Sequence, residues 1–231
     1  MTFSLVARSA DAQLFGVAIA SSSPAVAARC AHARAAAGAV ATQNITDPAL
    51  GPAILERLLR GAAADAALAA ALGATSFADF RQVLAIAARG PPVVHSGVHA
   101  LGVVGHAVGT HAAAAGNLLA HGAVPQAMVE AFESADAALL LGERLLRALR
   151  AGAARGGEAG PVHSAGVLVV RDVSWPIVDL RVDWSEADPI AELVRVWDIY
   201  SPQIDDYVWR AIDPRRAPSF GVPGDPNLPS R

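Results

Sequence analysis

The stretch that decides the fold is Thr2-Phe3-Ser4-Leu5-Val6-Ala7-Arg8, followed after a short polar loop by Leu14-Phe15-Gly16-Val17-Ala18-Ile19-Ala20-Ser21. Phe3–Arg8 and Leu14–Ser21 are apolar runs of strand length, and the loop between them has hairpin length. The chain is therefore predicted to open with a β-hairpin. Because side chains alternate along a strand, Thr2 and Ser4 should share one face, opposite Phe3, Leu5 and Ala7.

The remaining elements follow from apolar periodicity and from turn residues. Further strands are predicted at 38–43, 81–88, 164–171 and 177–183, with two or three more within 93–116. Helices are predicted at 49–60, 63–72, 125–134, 137–151 and 189–200. Strands thus alternate with paired helices, an order that favours an α+β fold of two sheets covered by helix layers.

Domain organisation follows from a change in composition near residue 200. Residues 1–200 carry the predicted strands and helices and form one domain. Residues 201–231 hold prolines at 202, 214, 218, 223, 226 and 229, which disfavour regular structure. We expect them to form an irregular, Pro-rich carboxy-terminal extension.

Composition excludes several classes of function. The chain is 53% hydrophobic but only 5% aromatic, no apolar run reaches the roughly 18 residues of a membrane-spanning helix, and its start does not resemble a signal peptide. A cytoplasmic protein that does not bind membranes is predicted. With a net charge of −3 and no basic stripe, nucleic acid is not an expected partner.

The inventory of reactive side chains is short. Cys30 is the single cysteine, which excludes an intrachain disulfide, and it is predicted to be a small buried hydrophobe. All 18 basic residues are Arg. The absence of Lys excludes Schiff-base chemistry, lysine general bases and a Walker-type phosphate loop.

The amino terminus offers the sharpest catalytic hypothesis. If Met1 is removed, Thr2 carries both a hydroxyl nucleophile and a free α-amine, whose unperturbed pKa of roughly 7.7–8.0 leaves part of it neutral near pH 7. One residue would then supply nucleophile and base. The alternative is that the chain begins Met-Thr for no catalytic reason.

Several short motifs resemble the domain-of-unknown-function 1028 family, in the family's order over about residues 2–200. They are Thr2–Arg8, Phe15–Ser21, Gly38–Gln43, Gly105-His106, Gly116–Leu119, Ala131–Glu133, His163–Val170 and Val178–Asp183.

The resemblance implies membership of the amino-terminal-nucleophile hydrolase superfamily and a four-layer αββα sandwich, in which helices flank two stacked antiparallel sheets. Two departures from the pattern bear on function. His163 stands where the family is expected to have Gln, and several of these hydrolases use a lysine beside the nucleophile, which this chain lacks. Arg cannot replace that base, so the α-amine of Thr2 would have to serve.

Candidate partners of Thr2 lie at or just beyond predicted strand ends, where side chains converge on a cleft. Asn117 is a candidate oxyanion donor, although it could instead bond the backbone of a turn. The candidate substrate-binding residues are Ser21, Ser22, Ser23, Thr42, Gln43, Asn44 and His106, although at least one of the three serines is expected to cap a helix instead.

His95, His99, His106 and His111 crowd one segment, but their spacing matches no zinc signature. We therefore predict no metal and no cofactor. On one predicted strand, Asp179 and Arg181 share a face and are expected to form a structural ion pair.

The leading hypothesis is a hydrolase of a small-molecule amide or cyclic amide, with Thr2 as nucleophile. The alternatives are a non-catalytic ligand-binding protein and an oligomeric scaffold on the same fold. All three are compatible with the expected homo-oligomer, a dimer or larger.

Overall fold

The computed structural model describes residues 1–222 and contains two antiparallel sheets. The strands are β1 (Thr2–Arg8), β2 (Phe15–Ser21), β3 (Ala31–Arg34), β4 (Gly38–Asn44), β5 (Arg81–Ala87), β6 (Val93–Ser96), β7 (Gly105–Val108), β8 (Ala112–Asn117), β9 (Ser164–Val170) and β10 (Val178–Val182). The α-helices are α1 (Val26–Cys30), α2 (Leu50–Leu59), α3 (Ala64–Gly73), α4 (Val124–Glu133), α5 (Leu141–Ala154), α6 (Pro189–Tyr200) and α7 (Ile204–Ile212).

The two sheets stack face to face between helix layers. The larger sheet has the strand order β10-β9-β2-β1-β8-β7, and the smaller has β3-β4-β5-β6. Helices α4, α5 and α6 share an apolar core with the outer face of the larger sheet, and α2 and α3 do so with the smaller sheet. A third apolar cluster fills the space between the sheets. The predicted four-layer sandwich is confirmed.

Strand β1 lies at the centre of this arrangement, between β2 and β8. Phe3, Leu5 and Ala7 pack into the helix-facing core, whereas Val6 lies in the cluster between the sheets. The alternation predicted for the opening strand is therefore confirmed. It directs Thr2 and Ser4 into the space between the sheets.

Polar groups occupy both ends of this inter-sheet layer. At the end of β1, the guanidinium of Arg8 donates to the carbonyl oxygens of Ala87 at 2.7 Å, Gly90 at 2.9 Å and Thr110 at 3.2 Å. These three bonds join the two sheets where the apolar cluster ends. The opposite end contains Thr2.

The structure adds elements that periodicity did not predict. Helix α1 and strand β3 are too short for a clear apolar period. Helix α7 lies in the segment predicted to be irregular, because Ile204 and Val208 are buried in the core beneath α6, and residues 205–212 contain no proline. The last prolines of that segment, from 223 onward, lie outside the described residues.

Two single-residue predictions can be compared directly with the structure. Cys30 is buried, with 3% of its surface exposed. The guanidinium of Arg181 binds the carboxylate of Asp179 through two hydrogen bonds of 2.7 and 2.9 Å. Both predictions are confirmed. Within residues 1–222, no helix has the length and apolar character needed to cross a membrane.

Helix α5 approaches β2 closely because Gly16 has no side chain. A Cβ atom at this position would lie 2.6 Å from Cδ1 of Leu145 and 2.8 Å from the backbone oxygen of Leu168. The second atom belongs to the neighbouring strand and cannot move without disturbing the sheet.

We therefore expect Gly16→Ala to lower the free energy of unfolding by about 1–3 kcal/mol, the usual cost of overpacking. The matched control is Gly73→Ala in α3, where no atom lies within 4 Å of the added Cβ; it should be neutral or stabilise the protein by up to about 1 kcal/mol. Urea unfolding followed by circular dichroism measures both. Equal stability of the two variants would contradict the close approach.

Candidate functional site

The hydroxyl group of Thr2 lies at the start of the central strand, in a buried polar environment. Thr2 is 5% exposed and is paired with Asn117 across β1 and β8. Its Oγ1 lies 3.2 Å from Oγ of Ser21 on the opposite neighbouring strand. The carbonyl oxygen of Met1 accepts hydrogen bonds from both hydroxyls. Removal of Met1 would take away this shared acceptor and leave the Thr2 hydroxyl free to bind another group.

The three serines at the end of β2, of which Ser21 is its last residue, form a compact turn beside Thr2. Oγ of Ser21 lies 2.8 Å from Oγ of Ser23 and accepts the Ser23 backbone N–H at 3.1 Å. None of these three serines caps α1, so the prediction that at least one of them caps a helix is wrong. The first N–H of α1, that of Val26, donates instead to Oγ of Ser164 at 3.2 Å.

A chain of buried amide side chains extends from β1 into the smaller sheet. Ser4 donates to Oε1 of Gln43 at 2.7 Å, and Nε2 of Gln43 donates to Oε1 of Gln82 at 2.7 Å. That same Gln82 oxygen accepts Nδ2 of Asn117 at 3.2 Å. Gln82 is fully buried, and its Nε2 donates to Oγ of Ser96 at 2.9 Å and to the backbone oxygen of Gly116 at 3.1 Å. Gln82 thus links the two sheets at this end of the layer.

The side chain of Asn117 is directed to this network and not to the backbone of a turn. Its Nδ2 makes one hydrogen bond, to Gln82. An amide nitrogen carries two protons, so one N–H remains available to a ligand beside Thr2. Its Oδ1 is buried and has no hydrogen-bond partner among the described residues. A buried acceptor of this kind requires a partner, such as a bound water or a ligand.

Of the other predicted site residues, Gln43 joins the network and the remainder lie apart from it. Thr42 is on the opposite face of β4, 3.3 Å from Oγ1 of Thr46. Asn44 bonds two loop backbones, as donor to Phe80 at 2.6 Å and as acceptor from Leu101 at 3.1 Å.

His106 is exposed on the edge strand β7, opposite Ala115 and two strands from β1. The other three histidines of its segment bond in different places. His95 contacts the Ala78 carbonyl at 3.1 Å, the ring of His99 packs at a tilt against Phe80, and the His111 backbone donates to Glu133. Residues 1–222 contain no group of three or more His, Cys, Asp or Glu placed to hold a metal ion.

Sequence reasoning missed Gln82 and Glu158. A signal for Gln82 was present, since it is a polar residue inside an otherwise apolar strand. Glu158 lies in a Gly-rich loop without periodicity, and nothing local marks it. It is 4% exposed, and burial raises its pKa to about 7. Three neighbouring groups lower this pKa and so partly offset burial: the amino-terminal ammonium group, the N–H of Ser22, and His163.

Replacement of Gln82 tests whether the amide network supports the fold. Gln82→Leu keeps the approximate size of the side chain but leaves Gln43 and Asn117 without their acceptor. Because each unsatisfied buried group costs about 1–3 kcal/mol, we expect the free energy of unfolding to fall by about 2–4 kcal/mol. Gln126→Leu is the control, since Gln126 is exposed on α4 and should change stability by less than about 0.5 kcal/mol. If the amide network does not stabilise the fold, the two variants will have similar urea midpoints.

The raised pKa of Glu158 predicts a pH-dependent contribution to stability. The folded protein holds this proton up to about pH 7, whereas the ordinary value is 4.5. The contribution is therefore fully present below pH 4.5 and is lost as the pH rises through 7. Relative to Glu158→Gln, the free energy of unfolding of the protein that retains Met1 should fall by on the order of 3 kcal/mol over this range. Urea titrations at several pH values measure this difference. If the unfolding free energies of the two proteins change with pH in parallel, the carboxyl group is not desolvated.

Comparison with known proteins gives a family and one close structural likeness. A family model described as "Family of unknown function (DUF1028)" matches residues 2–193. The chain is similar to the crystal structure of protein SPO2555 from Silicibacter pomeroyi, also assigned to DUF1028, with 28% identity, a TM-score of 0.79, and coverage of 87% of this chain and 89% of that one. No curated protein matches the chain.

A weaker likeness joins the chain to Anbu, an ancestral beta-subunit from Yersinia bercovieri. The identity is 12% and the TM-score 0.38, with 89% of this chain and 97% of that one covered. The family model spans most of the chain, and the solved structure that shares its fold over 87% of the chain carries the same family assignment. The chain therefore belongs to the DUF1028 family, a family of unknown function.

Proposed function

We propose that this protein hydrolyses the C–N bond of a small-molecule amide or cyclic amide, with Thr2 as nucleophile after removal of Met1. The observation that carries the proposal is the position of the Thr2 hydroxyl. It lies at the first residue of the central strand, buried, 3.2 Å from the Ser21 hydroxyl and paired with Asn117. A threonine that is both amino-terminal and enclosed by polar side chains has the arrangement that this chemistry needs.

In the proposed reaction, Oγ1 of Thr2 attacks the carbonyl carbon of the substrate while the α-amine accepts the hydroxyl proton. The tetrahedral intermediate then collapses, the proton passes to the leaving nitrogen, and an ester to Thr2 remains. Water hydrolyses this ester with the α-amine again as base. The chain has no lysine, so the α-amine is the one side-chain or terminal amine that can do this.

Asn117 is the proposed oxyanion donor. One of its amide protons is engaged by Gln82 at 3.2 Å, and this bond fixes the plane of the amide group. The other proton would bind the oxygen that becomes negative in the intermediate. Holding the donor in place before the reaction lowers the reorganisation that the intermediate requires.

Substrate contacts are proposed for the polar groups around Thr2. Ser21, Ser22, Ser23 and Gln43 are close to the nucleophile or joined to its network. Asn44 and His106 would contribute only to a substrate that extends beyond it, whereas Thr42 is fully buried on the opposite face of β4 and is not a proposed contact. A cytoplasmic location, a homo-oligomeric state and the absence of nucleic-acid partners stay predictions from the sequence.

The second candidate is a non-catalytic ligand-binding or oligomeric scaffold protein on the same fold. The observation in its favour is the absence of lysine, since several members of the superfamily that the sequence resembles place a lysine beside the nucleophile. Thr2 would then be an ordinary buried residue at a strand end.

The proposal predicts that the isolated protein lacks Met1 and that its activity depends on the Thr2 hydroxyl. Intact-mass spectrometry measures the first. For the second, Thr2→Ala should lower kcat/KM toward a panel of small amides and lactams by at least about 1000-fold, because the nucleophile is lost. Thr2→Ser should keep measurable activity, since it retains the hydroxyl.

Thr110→Ala is the matched control, because the Thr110 side chain is exposed and only its backbone contacts β1, at the end opposite Thr2. It should have native activity. A retained Met1, or amide hydrolysis that survives Thr2→Ala, would remove Thr2 as the nucleophile and favour the scaffold.

A further inference from the structure

Glu158 is a buried carboxylate that the proposed reaction does not yet use. One of its oxygens, Oε1, accepts the backbone N–H of Ser22 at 2.9 Å. The other, Oε2, is buried and has no hydrogen-bond partner among the described residues. A carboxylate removed from water is strongly disfavoured unless a donor or a positive charge faces it. With Met1 in place, the raised pKa lets Glu158 stay protonated and neutral up to about pH 7. A cationic partner facing Oε2 would instead allow it to ionise.

The position of Glu158 identifies that partner. Its backbone forms an isolated antiparallel bridge with Leu119, just after β8, whereas its side chain reaches Ser22, just after β2. Strands β8 and β2 are the two neighbours of β1. The Glu158 side chain therefore crosses the line of β1 immediately before the first residue of that strand, where the chain begins.

The amino-terminal ammonium group and His163 are the titratable groups that act on the Glu158 carboxyl from neighbouring elements. His163 has another partner, because its Nδ1 lies 2.9 Å from the Ser185 carbonyl oxygen and its ring stacks on Trp184 at 4.3 Å. Within residues 1–222, no side chain accepts a hydrogen bond from the amino terminus. Removal of Met1 would move the α-amine by one residue, about 3.5 Å along the strand, and would vacate the space beside Ser21 and Ser22.

We propose that Glu158 is a positioning residue that holds the α-amine of the processed Thr2 through its free Oε2. The role of this contact in catalysis rests on the proposed function, but the contact itself can form in a protein that does not turn over a substrate. When the Thr2 hydroxyl proton passes to the amine, the carboxylate accepts a hydrogen bond from the resulting ammonium group. When the C–N bond breaks, that proton goes to the leaving nitrogen, and Glu158 neither gains nor loses a proton.

Such a contact gives the lysine-free site a means of orienting its base. An α-amine at the end of a strand rotates freely unless an acceptor fixes it, and only one rotation directs its lone pair to Oγ1. Two backbone hydrogen bonds hold the Glu158 loop in place, from Ala120 to Gly157 at 3.0 Å and from Ala159 to Leu118 at 2.9 Å. The carboxylate is thus presented by a fixed backbone.

The chain offers a direct test, because the α-amine is its single primary amine. The rate of acylation of this amine as a function of pH gives its pKa without any substrate. The protein for this experiment must begin at Thr2, which its intact mass verifies. Where Met1 is retained, such protein is prepared by cleaving an amino-terminal fusion directly before Thr2.

We expect Glu158→Gln to lower the midpoint of the acylation curve by about one pH unit, because loss of the negative charge destabilises the ammonium form. Glu158→Asp keeps the charge on a shorter side chain and should shift the midpoint in the same direction by less. The control Glu130→Gln, on the exposed face of α4, should match the native protein. If Glu158→Gln does not fold, the Asp variant carries the test.

An unchanged midpoint in the folded Glu158 variants overturns the inference and leaves the Thr2 proposal standing. A shifted midpoint in a protein that hydrolyses none of the amides supports the contact and counts against the hydrolase. Where turnover is found, the acid limb of the pH–kcat/KM profile should move with the acylation midpoint in each variant. A merely structural Glu158 would change the rate without moving that limb.

Discussion

The structure depends on the requirement that polar groups between two apolar sheets be hydrogen-bonded. Most of the inter-sheet layer is filled by apolar side chains from both sheets, but β1 brings Ser4 into it from one side and β5 brings Gln82 from the other. Neither side chain can reach bulk water, so each must bond a partner across the layer. The resulting amide chain fixes how the two sheets meet and surrounds the first residue of the central strand with polar atoms.

Much of the fold could be predicted from the sequence, because alternation in β1 and β2 and helical periodicity in α2, α4, α5 and α6 are strong local signals. Helix α3 was predicted from its Ala-rich composition. The stacking of two sheets followed from the order of the elements. Helix α7 could not be predicted in this way, since the prolines around it dominate the composition and its helical form depends on Ile204 and Val208 reaching the core. Helix α1 and strand β3 are too short for any period to mark them.

The candidate site was less accessible to sequence reasoning. Thr2, Ser21, Gln43 and Asn117 were predicted as a group because they lie at strand ends, and the structure brings them together. Thr42 was included with Gln43, yet neighbours in a strand face opposite ways. Glu158 comes from a loop far along the chain. It reaches the amino terminus because the backbone of Glu158 pairs with that of Leu119.

The location of the chain start within the larger sheet also constrains how the protein can be handled. Most amino termini lie on the surface and accept added sequence. Here the first residues lie between β2 and β8, and the Met1 side chain lies against Gly160, where even an added methyl group would come within 2.9 Å of it. A purification tag fused ahead of Met1 would keep Thr2 inside a peptide chain, without a free α-amine. A tag added at the carboxy terminus leaves the first residue of β1 unchanged.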